Sequence, residues 1–163
     1  MLSDISSLMV DIAANEIGVK EGKHKERINE YLSTTTIGPG DYAWCAAFVS
    51  WCINKTLEIY RPPEIKNYES WRCRSARVFD WEPWAKSRNL EIIYDCERPA
   101  RKGDLIIFDF SHIGIVGFDQ FNIKDKIITI EGNTNKKGSR DGDGVYLKER
   151  NPSPEIIHCF IRI

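Results

Sequence analysis

Helices first and strands afterwards is the pattern written along this chain, and it predicts an α+β fold. Three observations carry that reading. Ile5, Leu8, Met9, Ile12 and Ala13 recur at helical spacing near the N-terminus. The run "WCAAFVSWCINK" at 44–55 is alanine-containing and almost wholly apolar, which suits a helix buried on nearly all sides. The second half then breaks into short β-branched and aromatic stretches bounded by Gly, Pro, Asn or Asp.

Taken in order, the first pattern predicts a helix over 4–17, stopped by Gly18. "KERINEYL" has the makings of a short second helix, and "TTTIGPGD" reads as loop. The 44–55 helix follows. A further helix is expected between Glu69 and Ser87, where Trp71, Val78, Phe79 and Trp84 recur and Pro83 must bend or split the element. Five strands are expected next: "GDLIIFDF" (103–110), "HIGIVGF" (112–118), "KIITIEG" (126–132), "GVYLKER" (144–150) and "IIHCFIRI" (156–163). Strands so spaced predict a small, curled antiparallel sheet, and "RDGDGV" at 140–145 reads as the turn of a hairpin rather than a calcium loop.

At 163 residues the chain has the length of one domain. Basic and acidic residues nearly cancel, 23 against 24, so nothing points to a nucleic-acid partner. No run of 18 apolar residues suggests membrane insertion, and the N-terminal stretch lacks a basic region followed by an apolar one, so no secretory signal is expected. The five cysteines have no C-x-x-C spacing, which argues against a zinc or thioredoxin-like site. Cys52, Cys73 and Cys159 sit in apolar surroundings and read as core residues.

Cys45 is different because of where it stands. If the helix begins there, its thiol lies at unpaired backbone N–H groups and a positive dipole end, which favours thiolate. The same N–H groups offer half of an oxyanion hole. A nucleophilic thiol needs a base, and the chain has three histidines. His24 lies in a charged segment and His158 mid-strand beside Cys159, whereas His112 opens a strand and is the best candidate. The imidazole needs an orienting acceptor. Glu131 and Asn133, two apart on "KIITIEGNT", emerge on one face if the strand continues through both. A cysteine heading an apolar helix is also the pattern of a core residue, so spacing and composition go no further than a thiol hydrolase.

The motifs themselves add more. "WCAAFVSWC" resembles the nucleophile helix of CHAP domains, the cysteine, histidine-dependent amidohydrolase/peptidase group of the NlpC- and papain-like superfamily. "AANEIGVKEG", "INEYL", "RKGDLIIF", "SHIGIVGF" and "ITIEGNT" follow in the order of small CHAP-like cell-wall hydrolases. The resemblance implies a single catalytic domain over 1–163, with a helix bearing Cys45 packed on a five-stranded SH3-like sheet. It implies Cys45 as nucleophile, His112 as acid and base, and Glu131 with Asn133 around the imidazole. Asp41 and Tyr42, just upstream of the cysteine, are candidate substrate-lining residues, and Trp44 is either a wall of the substrate groove or a residue packing the start of the helix. The substrate so implied is peptidoglycan, cut between muramic acid and L-Ala or within the stem peptide or crossbridge. No cofactor or metal is expected, since Asp41 is the one acid of "TTTIGPGDYAW". Ser111 stands where the family more often has Gly. A wall hydrolase made in the cytoplasm without a signal fits a phage lysis enzyme released through a holin, or an antibacterial toxin exported by a secretion machine and restrained by a cognate immunity protein. A papain-like protease or deamidase acting on a protein, and a non-enzymatic binding module, are the alternatives.

Overall fold

Apolar residues of the first half close over one face of a sheet built by the second half. The structure, a computed structural model, describes residues 2–163, with side chains from Ile5 onward. Helix α1 spans Leu2–Asn15, α2 Lys25–Ser33, α3 Cys45–Ile59, α4 Tyr68–Trp71 and α5 Trp81–Ser87. Strands β1 (Glu91–Tyr94), β2 (Leu105–Phe108), β3 (His112–Val116), β4 (Ile127–Thr134), β5 (Gly144–Arg150) and β6 (Ile157–Arg162) follow. The α1 helix begins and ends two residues before the expected 4–17. Gly18, at φ +99°, ends the turn beyond it.

The sheet has six strands, in the order β1-β6-β2-β3-β4-β5, with every pair antiparallel. This corrects the expectation of five. The missed strand, "EIIY", is four residues long and pairs only with β6 at the edge. So short a run carries too little alternation to announce itself. The helix expected between Glu69 and Ser87 is split into α4, a 3-10 turn at Val78–Asp80, and α5. Pro83 falls in the first turn of α5, where its missing N–H costs nothing. Among the described residues no helix is long and apolar enough to cross a membrane.

Period-two alternation divides the core. Leu105, Ile107, Ile113, Ile115, Ile130 and Val145 join the helices in one cluster, while Ile106, Phe108, Val116 and Ile127 face the other side in a second. Helix α3 lies against β3 and β4, buried from Cys45 through Ile53. It can come that close because of Gly132, where a Cβ would stand 2.8 Å from side-chain carbons of Phe48 and Trp44. Gly132→Ala is therefore expected to force α3 off β4 and to destabilise the fold by about 1–3 kcal/mol, read as a lower midpoint in urea denaturation.

Candidate active site

Two elements begin at the site. Cys45 is the first residue of α3 and His112 the first of β3. No side chain caps α3, and the first bond of the helix runs from the Phe48 N–H to the Trp44 carbonyl. The N–H groups of Cys45, Ala46 and Ala47 thus lie ahead of the helical ladder, around the sulfur. Cys45 is buried but keeps 4% of its surface open.

The His112 ring is enclosed completely. It stacks against Phe110 with the planes 13° apart and against Phe108 with the planes 27° apart. Its Nε2 lies 2.8 Å from Glu131 Oε2. Its Nδ1 is buried and has no hydrogen-bond partner among the described residues, while the Cys45 sulfur stands beside the ring, close enough to act on its proton. The contact between sulfur and ring is loose rather than a well-aligned hydrogen bond, a looseness common before substrate tightens a site. Burial works against the charged ring, but Cys45 and Glu131 outweigh it and lift the His112 pKa from 6.5 to about 9.

Glu131 is fully buried, and its charge is sustained by more than the histidine. Arg150 donates from Nε to Oε1 at 2.8 Å and from Nη2 to Oε2, and the Thr129 hydroxyl donates to Oε1 at 2.5 Å. Burial pushes this carboxyl up, yet the hydrogen bonds from Arg150 and His112 prevail and bring it down to about 2. Arg150 in turn lies over the Phe108 ring, 4.9 Å from its centroid. Neither Arg150 nor Thr129 was legible as a site residue. "GVYLKER" reads as an ordinary half-exposed strand, and only β4–β5 pairing lays Arg150 along Glu131.

Backbone geometry separates the two candidate orienting residues. The β3–β4 register pairs Ile115 with Ile130 and Val116 with Thr129, and continuing it sets Gly114 opposite Glu131. A Cβ on Gly114 would sit 2.7 Å from Glu131 Cγ, so the bare glycine leaves the carboxylate room to reach the imidazole. Beyond Glu131 the β4–β5 register shifts, and Asn133 takes a left-handed φ of +54°. Asn133 is turned off that face. It lines a surface pocket with Asp41 and Tyr42 instead, so Glu131 alone holds the ring. Trp44, expected near the substrate, is 1% exposed and gives its indole N–H to the Glu21 carboxylate; it packs the start of α3 rather than lining a groove. Ser111 has φ +59°, a conformation natural to glycine.

The other cysteines offer no second centre. Glu82, His158 and Cys159 place one potential ligand atom each within 4.8 Å of one another. His158 Nε2 lies 2.6 Å from Glu82 Oε2, while Lys86 and Tyr94 hold the other Glu82 oxygen. Burial pushes the Cys159 thiol up to about 12, and the contacts described make this set a hydrogen-bonded cluster. A larger groove, of about 660 Å³, runs past Ser6, Lys102 and Arg162; no cysteine or histidine lines it.

The family model of the CHAP domain matches residues 37–133. This chain belongs to the CHAP domain family. The match covers more than half of the chain and takes in Cys45, His112, Glu131 and Asn133, while Arg150 lies beyond it. No curated protein and no solved structure matches. CHAP membership supports, at a coarse level, a cysteine- and histidine-dependent amidohydrolase or peptidase of the cell-wall kind.

Four outcomes follow from the charges. The imidazole keeps its proton until about pH 9, so hydrolysis that needs a proton donor is expected to fall as pH rises through 9. Glu131→Gln should move that alkaline limb down by at least one pH unit, measured as rate against pH; an unmoved limb would separate Glu131 from the histidine. The histidine's raised pKa also contributes stability that is complete below about 6.5 and lost as pH rises through 9. Arg150→Met leaves Glu131 buried without its guanidinium, with only the imidazolium to balance it, and a loss of about 3 kcal/mol is expected in denaturant titration at pH 7.

Proposed function

We propose that this CHAP protein hydrolyses an amide bond of bacterial peptidoglycan by thiol catalysis. The observation that supports it is the convergence of the Cys45 sulfur, the His112 ring and the Glu131 carboxylate at the start of α3. In this reading the Cys45 thiolate attacks the amide carbonyl, and the carbonyl oxygen takes the negative charge among the N–H groups that begin the helix. The imidazolium gives its proton to the leaving amine, and a thioester remains on the sulfur. Water then enters; the now neutral imidazole takes its proton as the hydroxyl adds to the thioester. Collapse expels the carboxylic acid and restores thiolate and imidazolium. Glu131 touches neither bond; it holds the ring and favours its charged form.

The bond cut is either muramic acid to L-Ala or one within the stem peptide or crossbridge. Action on the wall makes this an antibacterial effector delivered by a secretion machine, with an immunity protein as its partner, or a phage lysis enzyme passing through a holin. Purified sacculi provide the test. Cys45→Ala is expected to keep the circular dichroism spectrum and melting behaviour of the parent while lysis falls at least about a thousandfold. Mass spectrometry of the released muropeptides identifies the bond. Lysis retained by the alanine variant would end this reading.

A further inference from the structure

Arg150 is engaged at every nitrogen, and its third hydrogen bond leads away from the site. Nε and Nη2 fork onto the two oxygens of Glu131, while Nη1 donates to the backbone carbonyl of Gly138 at 3.1 Å. The guanidinium carbon lies over the Phe108 and Phe110 rings, 4.9 and 5.7 Å from their centroids. Those are the rings that stack on His112. A fork on a carboxylate needs both its position and its plane to be right, which a point charge does not. Arg150 and Gly138 both lie beyond residues 37–133, which the CHAP family model matches, so membership of the family assigns neither of them a part.

Gly138 belongs to the loop between β4 and β5, and the chain passes it at φ +81°. A Cβ there would stand 2.7 Å from Arg150 Nη1 and 3.2 Å from Cζ. The loop thus meets the guanidinium with bare backbone. The loop is itself pinned to the strands. Lys148 donates from Nζ to the carbonyls of Asn135 and Lys136, and the Thr134 hydroxyl donates to the Ser139 carbonyl at 2.6 Å. The Gly142 N–H donates to the Asn133 carbonyl at 3.1 Å. Where the loop sits therefore decides where the guanidinium sits.

We infer that Arg150 is a positioning residue for the base, and that the β4–β5 loop holds it in place through the Gly138 carbonyl, so that the loop governs how Glu131 grips the imidazole. The part played by the base rests on the proposed hydrolase reading; the linkage from loop to carboxylate does not. Arg150 acts through Glu131. The charged neighbours of that carboxylate are His112 on β3, with Cys45 of α3 beyond it, and Arg150 and Lys148 on β5; its own strand adds only the Thr129 hydroxyl. Burial pushes the Glu131 carboxyl up, and the Arg150 hydrogen bonds lead the contacts that bring it down. Displacing the guanidinium therefore lets the carboxyl take a proton at a higher pH, and the ring then loses the charge that orients it.

Three variants test the linkage. Arg150→Met removes the fork, and Gly138→Ala sets a methyl group against it. Gly18→Ala places the same methyl at another left-handed glycine, φ +99°, where nothing lies within 4 Å. Carbon-13 NMR of the Glu131 carboxyl against pH needs no substrate. That carboxyl is expected to titrate at about 2 in the parent and in Gly18→Ala, and at least about one unit higher in Arg150→Met and Gly138→Ala. On sacculi the maximal rate should fall about tenfold or more in those two variants. The half-saturating amount of sacculi should stay within about twofold of the parent's, and the acid limb of rate against pH should move up with the carboxyl. A Glu131 titration in Gly138→Ala that matches the one in Gly18→Ala overturns the loop's part. A lower melting temperature in Arg150→Met with carboxyl and acid limb unmoved makes Arg150 a support of the fold alone and overturns the rest. Should Arg150→Met fail to fold, Gly138→Ala decides, because it keeps the arginine. Titrations as expected in a protein that leaves sacculi whole sink the hydrolase reading and leave the linkage standing, whereas lysis with the carboxyl unmoved in both variants sinks the linkage alone.

Discussion

A carboxylate with no access to water is the constraint around which this site is built. Glu131 lies where an isolated charge would cost several kcal/mol, and it stays ionised because Arg150, Thr129 and His112 fill its oxygens. Each of those partners comes from a different place in the chain, so the sheet must close in one register for the charge to survive. The same closure places an imidazolium beside the sulfur at the start of α3. Stability and chemistry thus draw on one set of contacts. The linked charges alternate along the row, from guanidinium to carboxylate to imidazolium, so none of them is buried alone.

Small backbone facts make that row possible. Gly114 gives Glu131 the room to cross toward His112, and Gly132 lets α3 settle against β4 so that Cys45 arrives beside the ring. The left-handed conformation of Ser111 turns the chain sharply before β3 and aims the imidazole from the strand's first residue. The aromatic shelf of Phe108 and Phe110 fixes the plane of the ring. Both sides of His112 are therefore determined, one by stacking and one by the carboxylate, and Nδ1 is the atom left for the thiol.

Glu131 and Asn133 divide two tasks that a regular strand would have merged. Had β4 kept its alternation, both side chains would emerge on the same face. The register shift and the left-handed Asn133 send the amide instead into the pocket that Asp41 and Tyr42 share. Glu131 thereby meets the imidazole while Asn133 lines a surface pocket. The acids around that pocket come from three distant stretches of chain, near 21, 41 and 142. Only the last of those stretches, "RDGDGV", is acidic by itself; that it meets Glu21 and Asp41 is decided by the fold.

By itself the sequence determined the order of elements, helices then strands, and it offered the candidates: a thiol heading an apolar run, a histidine opening a strand, and Glu131 with Asn133 on the next strand. Those are local signals, because apolar spacing and turn residues act over a few positions. It did not disclose the sixth strand, whose four residues become a strand only by pairing with β6. Nor did it show that Trp44 packs inward, that Arg150 supports Glu131, or that Glu131 and Asn133 part company. Those matters depend on register and on a single left-handed residue, and both are set by which strands meet in space. A hydrogen bond between β4 and β5 has no signature in either strand alone.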